Sequence, residues 1–127
     1  MIALTEIVRV LKPGGKALVT VWAKEQEIEN KKSTYISKQN RTTSVETASV
    51  PENFAHTDEI IVHKPRTEFQ KPDCLVPWTK TNEKFLRYYH VFVKDELEHI
   101  LSHIPQIRIL HSFNDEGNWC VIFMKSV

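Results

Sequence analysis

His99 and His103 stand four residues apart, a spacing that sets two imidazoles on one helical face and can bind a metal ion there. No glutamate lies between them in the metalloprotease pattern, and no third ligand is evident. Both also fall off the apolar stripe of their own segment, so an exposed histidine pair is the better reading and no metal site is expected. Cys120 is flanked by apolar residues and reads as a buried, unreactive thiol, while Cys74 has no visible partner. Trp119 is read as a core residue, with the rim of a pocket as the alternative. Arg87, Tyr88, Tyr89 and His90 form the most polar aromatic run of the chain. Taken by themselves they favour an extended segment that packs its rings onto a helix. Trp22 and Glu25 close an expected strand, and open α/β sheets bind ligands beyond the carboxyl ends of their strands. A core tryptophan and a solvated glutamate weigh equally there.

The chain has three glycines, Gly14, Gly15 and Gly117. Loops that cradle nucleotides need several glycines within a few residues, so that the backbone turns tightly and approaches the ligand. None of the three lies in such a loop, and no cofactor fingerprint is legible. The 127 residues suffice for one modest domain. Lys and Arg (17) nearly balance Asp and Glu (16), so any nucleic-acid surface must be a local patch. No apolar run is long enough to span a membrane, and the N-terminus lacks the basic leader and cleavage site of a signal peptide. Two cysteines in unlike contexts suggest reduced thiols in a cytoplasmic, or alternatively nuclear, protein.

These residues need elements to hold them. Leu4, Ile7, Val8 and Leu11 recur at helical spacing, and no capping residue precedes them, so the helix reads as one that begins in mid-course. Pro13 ends it, and Gly14 suits a turn that needs positive φ. Lys16–Trp22 follows as a strand apolar on both faces, as expected between two helical layers. Residues 24–74 are rich in Ser, Thr, Lys, Glu, Gln and Asn and read as a mostly disordered polar insert. Ile60–Ile61–Val62 is a short run there that can pair locally. Lys38–Ser44 offers hydroxyls to a kinase, although a solvated loop is the commoner meaning of such a stretch. Order resumes with Leu75–Trp78, an extended Phe85–Phe92, and a helix carried by Leu97, Ile100, Leu101 and Ile104. A closing hairpin joins Ile107–Phe113 to Trp119–Met124 through Asn114–Gly117. The last strand is apolar on both faces and so is expected between the other two.

An amphipathic helix ending in Leu11–Lys12–Pro13–Gly14–Gly15, followed by an apolar strand, resembles the late part of a class I S-adenosylmethionine-dependent methyltransferase. Further words narrow the resemblance: Val21–Trp22–Ala23, Glu25–Gln26, Arg87–Tyr88–Tyr89–His90–Val91–Phe92, Glu96–Leu97 and Gly117–Asn118–Trp119–Cys120–Val121–Ile122. In this order they resemble the eukaryotic tRNA wobble-uridine carboxymethyl methyltransferases, over residues 1–26 and about 75–126. The resemblance implies an α/β fold, a partial class I Rossmann-like sheet of the fifth, sixth and seventh strands with two helices. Residues 1–23 would carry the helix, turn and fifth strand, 24–74 the insert, and 75–127 the closing segment of the same domain.

The resemblance also implies methyl transfer from S-adenosylmethionine to the carboxylate of a carboxymethyluridine in the tRNA anticodon loop. Arg87 would hold a carboxylate or phosphate. Tyr88 and Tyr89 would stack on a base or donate a hydrogen bond, and His90 would touch phosphate or substrate. Trp22 and Glu25 complete the candidate substrate-binding set. The strands that carry the family's cofactor loop are absent, so no catalytic or cofactor-binding residue is assigned and this chain alone is expected to bind no cofactor. A small zinc-binding activator subunit is implied for the full-length form. The alternative is a non-catalytic RNA- or protein-binding regulatory product, and a small-molecule methyltransferase fragment sharing only the common turn is a third reading. With its first strand at a sheet edge, the chain is expected to be weakly stable, oligomeric or partner-dependent.

Overall fold

The apolar spacing at the start of the chain does form a helix, and the last strand does take the central place in its sheet. The computed structural model describes residues 1–37 and 60–126, so the Lys38–Ser44 stretch lies outside the described residues. In chain order the elements are α1 (Ile2–Val10), β1 (Lys16–Trp22), β2 (Glu27–Ile28), β3 (Lys31–Lys32), α2 (Thr34–Ser37), β4 (Ile61–Val62), β5 (Asp73–Lys80), β6 (Glu83–His90), α3 (Glu96–Ser102), β7 (Ile107–Asp115) and β8 (Asn118–Lys125). The chain is thus α/β. It divides into two compact units, Met1–Ala23 with Phe92–Val127, and Lys24–Val91.

In the first unit β8 pairs antiparallel with both neighbours, giving the order β1–β8–β7. Register places Ala17, Val19 and Val21 of β1 beside Phe123, Val121 and Trp119 of β8. Val121 and Phe123 form a core with Val8 of α1, Leu97 and Leu101 of α3, and Ile104 just beyond α3. Leu4, Ile7 and Leu11 pack against it, so the i, i+3, i+4, i+7 stripe of α1 is its buried face. Side chains alternate along a strand, and both helices contribute to this one cluster. Leu18, on the opposite face of β1, is 59% exposed. The expectation that β1 is covered on both faces is therefore corrected.

The turn between α1 and β1 is fastened to the far end of the chain. Gly14 adopts φ +78°, and a Cβ on Gly15 would meet the Lys12 carbonyl oxygen at 2.7 Å. The Gly14 N–H donates to the Lys125 carbonyl (2.8 Å), and the Lys125 N–H donates back to Gly15 (2.9 Å). The Lys125 ammonium donates to the Leu11 carbonyl at 2.9 Å, satisfying an oxygen left over at the helix C-terminus, where positive charge is favoured. At the other end Glu116 (φ 48°) and Gly117 (φ 77°) make the two-residue turn of the β7–β8 hairpin. Asn114 and Asp115, expected in that loop, extend β7 instead.

The second unit departs from the expectation of a structureless insert at both described ends of residues 24–74. β2 and β3 form a small hairpin leading into α2, and β4 pairs in parallel with β5, as the Ile60–Val62 run allowed. β5 pairs antiparallel with β6, completing a β4–β5–β6 sheet. Residues 75–91 thus belong with 24–74 in this unit rather than with the closing segment. The order comes from side chains that periodicity does not flag. Gln26 and Ser33, both buried, bond to each other (2.6 Å), and the Gln26 N–H donates to Glu68 at 3.2 Å. Tyr35, His63 and Phe69 stack, with His63 and Phe69 centroids 4.1 Å apart. Hydrogen bonds satisfy these polar groups, which makes their burial tolerable. Pro77 is accommodated within β5 because its nitrogen faces the β4 side, where the Leu75 carbonyl also points, and β4 has already ended at Val62.

Candidate functional site

The Arg87–His90 run lies in β6, where strand alternation divides it between two faces of the β5–β6 hairpin. Register pairs Asp73 with His90 and Leu75 with Tyr88 on one face. It pairs Cys74 with Tyr89, Val76 with Arg87 and Trp78 with Phe85 on the other. The hairpin turns through Thr81 (φ 51°) and Asn82 (φ 66°), so this register follows from a two-residue turn.

On the first face, the Tyr88 hydroxyl donates to Asp73 Oδ1, and His90 Nδ1 lies 2.9 Å from the same oxygen. Opposite a carboxylate, that ring nitrogen is the donor. The hydrogen bonds from Tyr88 and then His90 hold the Asp73 carboxyl below its usual range. The same contact raises the Tyr88 phenol, because the carboxylate disfavours a second negative charge. Asp73 therefore fixes the orientation of both candidates that share its face.

On the second face, the Arg87 guanidinium lies over the Trp78 ring, 4.1 Å from the centroid. Trp78 and Phe85 rings follow at 5.8 Å, tilted by 42°. A guanidinium stacked by its flat side keeps its N–H edges available for an anion, which an ammonium could not do in that geometry. Trp78 is 38% exposed and Phe85 43%. Cys74, at the inner end of this face, is buried, and burial pushes its thiol up. Cys120 is buried as expected.

The other candidates lie elsewhere. Trp22 ends β1 in the first unit and is half-buried; Glu25 belongs to the second unit and is also half-buried. His99 and His103 are exposed, with rings edge-to-face at 4.9 Å. Trp119 is in the core at 9% exposure. Sequence reasoning missed Asp73, Trp78 and Phe85. Their pairing depends on the turn at Thr81–Asn82, residue types that do not by themselves announce a tight hairpin.

The glycine turn does not fit S-adenosylmethionine. Its Gly14 amide is spent on Lys125 and its Gly15 amide on Lys12, both at 2.8 Å. Among the described residues no three His, Cys, Asp or Glu side chains gather as a metal-ligand set, and no helix is long and apolar enough to cross a membrane.

No protein-family model matches the chain. Curated proteins do. A tRNA (carboxymethyluridine(34)-5-O)-methyltransferase of Xenopus tropicalis is 35% identical over 144 residues, covering 97% of this chain and 23% of that protein. Its namesake from Macaca fascicularis is 34% identical, over 98% of this chain and 27% of its own length. A probable tRNA methyltransferase 9B of Homo sapiens is 52% identical over 42 residues, 32% of this chain and 9% of that protein. The chain spans about a quarter of the length of the long relatives it matches. By homology along nearly all of its own length, it belongs to the tRNA carboxymethyluridine methyltransferase family.

Proposed function

We propose that this chain is the substrate-facing portion of a methyltransferase that esterifies the carboxylate of a carboxymethyl-modified wobble uridine in tRNA. One observation carries the reading: proteins named for that activity align with 97% of the chain, both units included. On this reading β1, β7 and β8 are the fifth, sixth and seventh strands of a class I sheet, and the order β1–β8–β7 supports it. A carboxymethyl group is already ionised at neutral pH, so the substrate needs no general base. It needs a cation that orients the carboxylate and is not itself methylated. Arg87, braced on Trp78, suits that task. Tyr88 and His90, oriented by Asp73, supply hydrogen bonds or stacking to the anticodon loop. Tyr89, Trp22 and Glu25 complete the candidate set. S-adenosylmethionine and any zinc-binding activator belong, on this reading, to parts of the whole protein outside this segment.

The spent amides of the Gly14–Gly15 turn favour a second reading for the chain by itself, as a module that binds RNA without methylating it. Fluorescence anisotropy with anticodon stem-loops tests both readings. The chain is expected to prefer a loop carrying carboxymethyluridine over one carrying uridine by about tenfold, as for a charge-assisted contact. Arg87→Ala should abolish the preference. Equal binding of both loops, untouched by that substitution, would sink the substrate assignment. Methyl-ester formation by the chain alone would overturn its non-catalytic character and leave the substrate assignment standing.

A further inference from the structure

The second hairpin face carries more than a carboxylate clamp requires. On this face Trp78, Phe85 and Tyr89 stand with two cations, Lys80 and Arg87, and one carboxylate, Glu83, which pairs with Lys80 across the strands. Trp78 and Phe85 are paired across the strands and remain open to solvent, although each is a large apolar ring at the outer part of a two-stranded arm. The buried part of this sheet lies at the other end, around Cys74 and the His63–Phe69 stack.

We infer that the Trp78–Phe85–Arg87 face is a stacking platform for unpaired bases of single-stranded RNA. The inference rests on the reading above for its choice of RNA, and it adds to the Arg87 clamp a stacking surface of rings that read no modification. Every base has a π-face, so two exposed rings beside a guanidinium accept bases without sequence preference. Lys80 and Arg87, on the same face, attract the intervening phosphates. The excess of cations over carboxylates on this arm favours a polyanion over a neutral protein surface. The Arg87 guanidinium already covers part of the Trp78 ring, and a base stacking on Phe85, on the guanidinium or on the exposed indole would extend a stack that exists in the folded chain. The rings need not reorganise before binding.

The test uses the 127-residue chain with short fluorescein-labelled oligoadenylate and oligouridylate, alongside the modified and unmodified stem-loops. Both oligonucleotides should bind and quench tryptophan emission. Phe85→Ala should weaken every RNA by about tenfold while leaving the preference for the carboxymethyl group intact, since Trp78 still braces Arg87. Trp78→Phe should keep the binding and lose the quenching, which ties the effect to this face and not to unfolding. If the modified stem-loop binds but the plain oligonucleotides do not, the platform is wrong and the substrate assignment stands. If the oligonucleotides bind and quench, yet no RNA distinguishes the carboxymethyl group, the platform stands and the substrate assignment falls. Competition by polyglutamate as effective as that by RNA, or affinities unchanged by Phe85→Ala, would overturn stacking.

Discussion

His63 makes the second unit sensitive to mild acid. The residue is 4% exposed, stacked 4.1 Å from Phe69, with Nε2 3.0 Å from the Tyr35 hydroxyl. Burial disfavours the imidazolium, and the pKa falls from 6.5 to about 4. The unfolded chain therefore takes up a proton near pH 6.5 that the folded chain refuses until about pH 4. Stability from this group is fully present above pH 6.5 and is lost as pH falls through that window. At about 1.4 kcal/mol for each unit of difference, the loss has a ceiling of about 3 kcal/mol, a large share of what a unit this small can hold. Urea unfolding followed by circular dichroism at pH 7, 6, 5 and about 4, together with imidazole NMR, measures it. His63→Gln keeps a hydrogen-bonding group for Tyr35 but does not titrate. Carboxylates titrating near pH 4 affect both proteins alike, so the difference between their slopes isolates His63. An imidazole that titrates near 6.5 in the folded chain, or parallel slopes for the two proteins, would refute the reasoning.

Two further perturbations test the local architecture. Gly15→Ala should lower the stability of the first unit by about 1–3 kcal/mol, because the added Cβ would meet the Lys12 carbonyl at 2.7 Å and loosen the turn that Lys125 fastens; a thermal midpoint within a degree of the parent would contradict that. Replacing Thr81 and Asn82, both at positive φ, by Asn and Gly should stabilise the β5–β6 hairpin by about 1 kcal/mol, since a β-branched residue is strained there. Slower amide exchange across β5 and β6 would register the gain.

Much of the first unit was legible because its signals are local. A four-residue apolar stripe and the Pro13–Gly14–Gly15 stop define α1 and its turn, and the apolar character of Trp119–Met124 on both faces marks β8 as a central strand. Hydrophobic periodicity and turn chemistry need no knowledge of partners. The second unit was legible only in part: the Ile60–Val62 run and the extended Phe85–Phe92 stretch were visible, but two-residue strands such as Ile61–Val62 have no period and become strands only by pairing with Cys74–Leu75. Its buried groups, Gln26, Ser33 and His63, are residue types that normally mark exposed loops. Only long-range hydrogen bonds made them a core.

The candidate site divides the same way. The sequence alone singled out Arg87, Tyr88, Tyr89 and His90 as candidates, and showed that Gly14 and Gly15 lie in no glycine-rich nucleotide loop. The tertiary structure alone decided that Arg87 and Tyr88 face opposite ways, that Trp78 braces one, and that Asp73 orients the other. The physical reason is register. A strand turns each successive side chain to the opposite face, and which residues then meet depends on where the neighbouring strand is joined. Here that join is a Thr81–Asn82 turn whose type the residues scarcely announce, so the partners were fixed only when the hairpin closed.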